Sequence, residues 1–382
     1  MKHILYLPSW FPSRRKPYPG DFIKRHAEAA SFYNRITVFY TAIDENIKEP
    51  EIVEEKINEN LFVYIYYYPL VKNILSPVIN GVKRFSALRK MYNKIFSASL
   101  PDLVHVHVAY PAGLFALYLK KRKGLEYIIS EHDGIYMPGY DNYHIPGKFE
   151  KRMVPVIYKN AKKIHAVSKT LAEALIDLKL ATTNLVVIPN VVNKEIFKYR
   201  EKKKSDTFRF IHVSSLINQK NPEGMLEALS LVKKKSENFV LKIIGPAKEK
   251  FKKMVEDLLL EKQVLFMGEV PYTDVAKEIS NSDAMVHFTR YETFGCVIAE
   301  SLCCGVPVIV SDLDVTKELI TDGVTGLLVA ESKVNDLADK ILYFMESGFQ
   351  IDSKLVAEEN QQKFSYDHVG KMFDDLYRSV TS

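Results

Sequence analysis

The chain has 382 residues, 47% hydrophobic and 26% charged, with a net charge of +6 at neutral pH. That is the composition of a globular protein long enough for two domains of ordinary size, and its modest charge argues against a nucleic-acid partner. No apolar run reaches the roughly 18 residues of a membrane helix, and the three cysteines, Cys296, Cys303 and Cys304, are too few and too clustered for a disulfide framework or a zinc site, which suits a reducing cytoplasm.

The N-terminus lacks the apolar core and cleavage site of a signal peptide and reads as a first strand at 4–7. A Pro-rich loop follows, from Pro12 to Gly20, and feeds a helix. Gly20 permits close backbone approach there, and the helix start can face an anion. Arg14, Arg15 and Lys16 read as a solvated charge run. Further strands are predicted at 36–40, 63–67, 103–108, 127–130, 163–167 and 185–188. Seven strands with helices between them fit a doubly wound sheet.

Segment 72–96 is basic with apolar residues at helical spacing: Ile74, Val78, Val82, Phe85, Leu88 and Ile95 beside Lys83, Arg84, Arg89, Lys90 and Lys94. It has two equal readings, a helix lying on an anionic membrane surface or a core-facing helix with a charged outer face. Alternation puts His105 and His107 inside the sheet layer, as structural residues. His132, in Ser130-Glu-His-Asp-Gly134, follows an apolar strand. Ligands collect at such strand ends, and a histidine there can hydrogen-bond them and carry protons near neutral pH.

Residues 194–207 hold a polar run and break the chain into halves. Beyond it, strands are predicted at 208–213, 239–244, 264–267, 284–288, 306–310 and 325–329, alternating with helices. Asn221 is placed to cap the helix that opens with Pro222. The last helix carries Val369, Met372, Phe373, Leu376, Tyr377 and Val380 on one face.

The most informative stretch is Glu292-Thr-Phe-Gly-Cys-Val-Ile-Ala-Glu300, between a short strand and a helix that Gly305 and Pro307 end. A strand, a loop with one carboxylate, a helix N-terminus and a second carboxylate two turns on make an anion site with hydroxyl acceptors beside it. A nucleotide sugar is a ligand of that kind.

The Glu-x7-Glu spacing, with Phe-Gly inside and Gly-x-Pro-Val behind, resembles the donor-sugar signature of retaining GT-B glycosyltransferases, most closely glycosyltransferase family four. Ser214-Ser-Leu-Ile-Asn-Gln-Lys220 resembles the family's Gly-Arg-Leu…Lys segment, with Ser214 and Ser215 where Gly and Arg are usual. The Pro-Asn turn at Pro189-Asn190, the glycine turns at Gly245 and Gly268, and Glu318 after Asp312 extend the likeness along most of the chain.

The resemblance implies an α/β GT-B fold of two Rossmann-like domains with the reaction in a cleft between them. The expected first domain is 1–195, with the terminal helix 365–382 crossing back to it. The expected second domain is 196–364 and binds a nucleotide-diphosphate sugar, a UDP-sugar by preference. Implied catalytic residues are His132, Glu292 and Lys220. Implied donor-binding residues are Gly20, Phe294, Gly295, Cys296, Glu300 and Ser215, with Glu300 on the ribose and Glu292 on the transferred sugar. Transfer of a hexosyl or related group to a saccharide or lipid-linked acceptor in polysaccharide or glycolipid biosynthesis is implied, with retention. The protein is expected in the cytoplasm, with peripheral contact at the inner membrane face as the membrane reading of 72–96.

Asp312-Leu-Asp314 mimics the metal pair of another glycosyltransferase fold, but no metal is expected. Rivals are a dehydrogenase, which would need a Gly-x-Gly-x-x-Gly that is missing, a sugar-nucleotide epimerase of the same fold, and a non-catalytic nucleotide-sugar binder.

Overall fold

The computed structural model describes residues 1–70, 76–140, 147–182, 184–202 and 205–381. The chain divides into two compact units, one of Met1–Tyr136, Tyr143–Val191 and Tyr366–Ser382, the other of Met137–Asn142 and Val192–Ser365.

The first unit holds β1 (His3–Pro8), β2 (Arg35–Ile43), β3 (Glu51–Asn58), β4 (Leu61–Tyr68), β5 (Leu103–His107), β6 (Tyr127–Glu131), β7 (Ile164–Ala166) and β8 (Leu185–Val187). They form one sheet in the order β3-β4-β2-β1-β5-β6-β7-β8. All neighbours are parallel except β3 and β4. Strand β3 was not predicted. Its sequence, Glu-Ile-Val-Glu-Glu-Lys-Ile-Asn, is charged and mostly exposed because it lies at the sheet edge, where charge discourages further pairing.

The helix Tyr366–Thr381 belongs to this unit and packs on the helix Asp21–Ala30. Gly370 makes that approach possible, since a Cβ there would lie 2.2 Å from the Ala29 carbonyl oxygen. Phe373, Leu376 and Tyr377 are buried in the core shared with Ile4, Tyr6 and Ile23. The Tyr377 hydroxyl bonds that of Tyr6 and lies 2.9 Å from His105 Nδ1.

The basic segment forms a helix, Ser76–Ile95. Its later turns bury Ala87, Leu88, Met91 and Tyr92, whereas Val78 and Val82 are exposed. Lys72 and Ile74 lie outside the described residues. No helix among the described residues is long and apolar enough to cross a membrane.

The second unit holds β9 (Phe208–Val213), β10 (Phe239–Ile244), β11 (Val264–Gly268), β12 (Ala284–His287), β13 (Val308–Ser311) and β14 (Gly326–Val329). They form an all-parallel sheet in the order β11-β10-β9-β12-β13-β14. The order reverses between β9 and β12, and such a switch point leaves a crevice beyond the strands' carboxyl ends. All six strands were legible as short apolar runs. Asn221 corrects one expectation. Its side chain caps nothing; its backbone is left-handed (φ 43°) and its Oδ1 accepts from Arg290 Nη2 at 2.7 Å.

Candidate active site

Two loops leave the sheet at the switch point, one after β9 and one after β12. The first runs through Leu216, left-handed at φ 49°, into a single turn of 3-10 helix, Asn218–Lys220. The second runs from Phe288 to Gly295. Five hydrogen bonds stitch them together. Arg290 N donates to Gln219 O (2.8 Å), and Arg290 Nε to Asn218 O (3.1 Å). Thr289 Oγ1 donates to Gln219 O (2.9 Å), Gln219 Nε2 to Tyr291 O (2.9 Å), and the Arg290–Asn221 bond closes the set.

This stitching brings Lys220 to Glu292. The two side chains form a direct ion pair, with side-chain exposures of 16% and 8%. The same carboxylate oxygen, Oε1, accepts from His287 Nε2 at 3.1 Å. Burial raises the Glu292 pKa, but the Lys220 charge and the His287 bond outweigh it and hold the group down at about 2. Glu292 is therefore an anion at any working pH. His287 lies on β12 and His212 beside it on β9, with ring centroids 5.8 Å apart. Burial lowers both pKa values, His212 to about 3, so both imidazoles are neutral.

Gly295 follows, at φ 86°, a conformation that L side chains rarely adopt. It opens the helix Cys296–Cys303, and no side chain caps that end. Phe294 is buried edge-on against Phe364, with centroids 5.6 Å apart, so only its backbone is left for a ligand. Cys296 is half-buried in the first turn. Glu300 lies within the helix, 3% exposed, and accepts from the Tyr272 hydroxyl. Tyr272 in turn meets the Phe197 ring edge-on at 4.8 Å. Ser215 is exposed. Its neighbour Ser214 turns inward, 2.7 Å from His212 Nε2 and accepting from Leu216 N at 3.1 Å. Lys248 Nζ reaches the same loop, donating to Leu216 O at 2.9 Å.

The other expected residues are in the first unit. Gly20 (φ 78°) opens the helix Asp21–Ala30, again without a side-chain cap. A Cβ there would lie 2.6 Å from the Trp10 carbonyl, so its own loop already requires glycine. Arg14 is not simply solvated: it pairs with Asp44 at 2.6 Å and lies 4.0 Å over the Tyr67 ring.

His132 is at the end of β6, 6% exposed. Its Nε2 is 3.3 Å from His107 Nδ1, and the rings of Phe22 and His26 lie 4.8 and 5.4 Å away. Its surroundings weigh against the expected proton carriage near neutral pH. Burial, helped by three neighbouring imidazoles, pushes its pKa well below 6.5 and leaves it neutral. His105 and His107 are fully buried, as expected, but His107 is also the partner of His132. Beside them Glu131 accepts from the backbone N–H of Ala109, His132 and Asp133 and from the Tyr158 hydroxyl at 2.7 Å.

One nitrogen each of His26, His107 and His132 lie within 4.8 Å of one another, the one candidate metal group among the described residues. Nitrogens sharing a tetrahedral zinc lie about 3.4 Å apart, and His26 Nε2 faces the Pro189 carbonyl at 3.3 Å. Within the set His107 Nδ1 and His132 Nε2 are at hydrogen-bond distance, and His26 Nδ1, His107 Nε2 and His132 Nδ1 have no hydrogen-bond partner among the described residues. Asp312 and Asp314 both face Lys317 Nζ, at 2.8 and 3.6 Å, which supplies the positive charge that a metal would bring.

Residues 193–364 match the family described as Glycosyl transferases group 1, and residues 28–196 match Glycosyltransferase Family 4. The chain belongs to these glycosyltransferases. Among its relatives are the uncharacterized glycosyltransferase MJ1178 of Methanocaldococcus jannaschii, 27% identical over 77% of this chain and 80% of that protein. Another is the poly(ribitol-phosphate) alpha-N-acetylglucosaminyltransferase of Staphylococcus aureus, 27% identical over 64% of this chain but 50% of that one. The poly(glycerol-phosphate) alpha-glucosyltransferase of Bacillus subtilis is matched over 32% of its length, so the chain spans half or less of these two enzymes. In fold, Anabaena HepE in complex with UDP and glucose superposes with a TM-score of 0.74 at 17% identity, over 99% of this chain and 100% of that one. The glycosyltransferase therefore has the GT-B fold of two Rossmann-like units.

Proposed function

We propose that this glycosyltransferase takes a sugar from a nucleotide diphosphate, preferentially UDP, and delivers it to a saccharide or lipid-linked hydroxyl with retention of configuration and without a metal. The observation that carries the reading is the Lys220–Glu292 pair beside the uncapped helix start at Gly295. A cation and a helix N-terminus suit the diphosphate, whose negative charge grows as the glycosidic bond breaks. Lys220 meets that charge. Glu292, permanently ionised, accepts hydrogen bonds from hydroxyls of the transferred sugar, assisted by the backbone at Phe294 and Gly295. Glu300 accepts from the ribose. His132 serves a sugar hydroxyl as a neutral imidazole.

The relatives and neighbours support the donor and acceptor classes by what they are: one neighbour was solved with UDP and glucose, and two relatives act on polyol-phosphate polymers. Membrane contact is part of the proposal for lipid-linked acceptors, through the exposed Val78 and Val82.

The test is a thermal-shift panel of nucleotide sugars, followed by transfer assays with any donor that stabilises the protein. A UDP-sugar should raise the melting temperature most, and nuclear magnetic resonance of the product should show the donor's anomeric configuration. If no nucleotide sugar binds, the reading fails. If one binds and is epimerised or left unchanged with every acceptor class, the protein is an epimerase or a binder.

A further inference from the structure

We propose that His287 is a positioning residue for Glu292, whose Nε2–H keeps the carboxylate in place when Lys220 turns to the donor diphosphate. This rests on the donor site proposed above. His287 is completely buried in β12, five residues before Glu292, and reaches Oε1 at 3.1 Å. That oxygen also takes Lys220, so a single atom carries both contacts.

The hydrogen-bond roles are fixed by their partners. A carboxylate only accepts, so His287 carries its proton on Nε2. His212, stacked against it, is committed elsewhere. Its Nδ1 lies 2.8 Å from the Val286 carbonyl and must donate, which leaves Nε2 to accept from the Ser214 hydroxyl. His287 Nδ1 has no hydrogen-bond partner among the described residues. A buried imidazole with an unpaired nitrogen is costly. An apolar residue would fill this strand position without that cost, so the bond to Glu292 is what the imidazole adds.

The bond matters most once donor is bound. Lys220 cannot fully neutralise both a diphosphate and Glu292. A buried carboxylate deprived of its cation needs another donor, and His287 is already in contact. The titratable groups facing Glu292 are Lys220, from the loop after β9, and His287, from the strand that leads into Glu292's own loop, with His212 behind His287.

The experiment compares full-length wild type, His287→Met and His287→Gln in transfer with the cognate donor across pH. Glutamine can present an N–H where Nε2 was; methionine cannot. His287→Met should lower kcat by about 10-fold or more, as expected for a lost charge-assisted bond, and move the acid limb of the kcat profile upward. His287→Gln should recover most of both. Equal kcat and acid limb in wild type and His287→Met overturn the proposal, as does equal loss in both variants at unchanged melting temperature. Should His287→Met not fold, the wild-type imidazole decides it. Nitrogen-15 spectra should show His287 as the neutral Nε2–H tautomer with and without donor, and an Nδ1–H tautomer overturns the proposal. A wild type with no transfer activity counts against the proposed reaction instead.

Discussion

Lys220 and Glu292, 72 residues apart in sequence, meet as an ion pair that is largely withdrawn from solvent at the end of the second unit's sheet. Lys220 is the main charge acting on Glu292. With Ser215 where the family usually has Arg, the proposed reading leaves one lysine to meet charge that two cations commonly share. Lys220→Ala should lower kcat about 100-fold or more, the scale of losing one electrostatic stabiliser, with a smaller effect on donor affinity. Steady-state transfer assays on wild type, Lys220→Ala and the double variant with Ser215→Arg check this. Near-normal kcat in Lys220→Ala would remove the lysine from the mechanism.

Glu300 is held by the Tyr272 hydroxyl. Glu300→Gln should weaken donor binding by roughly 1.5–3 kcal/mol, the worth of hydrogen bonds to a charged acceptor. Tyr272→Phe should weaken it less, because it frees the carboxylate without discharging it. Calorimetric titration of the donor into each variant reads both, and unchanged affinity in Glu300→Gln excludes it from the site.

Chelation should leave turnover intact. Lys317 lies between Asp312 and Asp314, and Lys220 and the Gly295 helix start are assigned the diphosphate. Transfer measured with and without EDTA is the check. Loss of activity restored by magnesium or manganese would make the aspartate pair a metal site after all.

Two carboxylates give opposite pH dependences of stability. Burial pushes the Glu131 carboxyl up from its usual 4.5 to about 7, with Asp133 adding to it and Tyr158 and backbone N–H bonds opposing. Between those values the native state holds the proton and the unfolded state does not, so stability should fall as pH rises through that window. At 1.36 kcal/mol per pH unit the loss is roughly 3 kcal/mol. Glu292 is depressed to about 2, so its contribution is present above about 4.5 and lost as pH falls through 2. Urea unfolding from pH 4.5 to 7.5 should show wild type losing stability relative to Glu131→Gln as pH rises, a difference that cancels the opposite slope contributed by buried histidines of depressed pKa. Identical profiles would refute the assignment.

Much of this was legible in the sequence where the signal was local. The strands of the second unit are short apolar runs, and Gly295 and Glu300 sit within one contiguous motif. Strand β3 was not legible, because an edge strand is charged for the same reason that it lacks a second neighbour. The neutral state of His132 was not legible either, since its desolvation comes from His26 and Phe22, more than a hundred residues away. His287 read as one residue of an apolar strand. Its bond to Glu292 closes a turn five residues long that no sequence pattern marks, and the stitches from Arg290 and Gln219 depend on β9 and β12 becoming neighbours.

The helix Tyr366–Thr381 fills the first unit's core but is translated after all of Val192–Ser365. While the ribosome is still making the second unit, Tyr6 and His105 lack their Tyr377 partner and the face of Asp21–Ala30 lacks its cover. The first unit therefore stays unfinished in the nascent chain until the second has emerged. A fragment stopping at Val191 would carry that gap permanently, with apolar surface exposed to other chains.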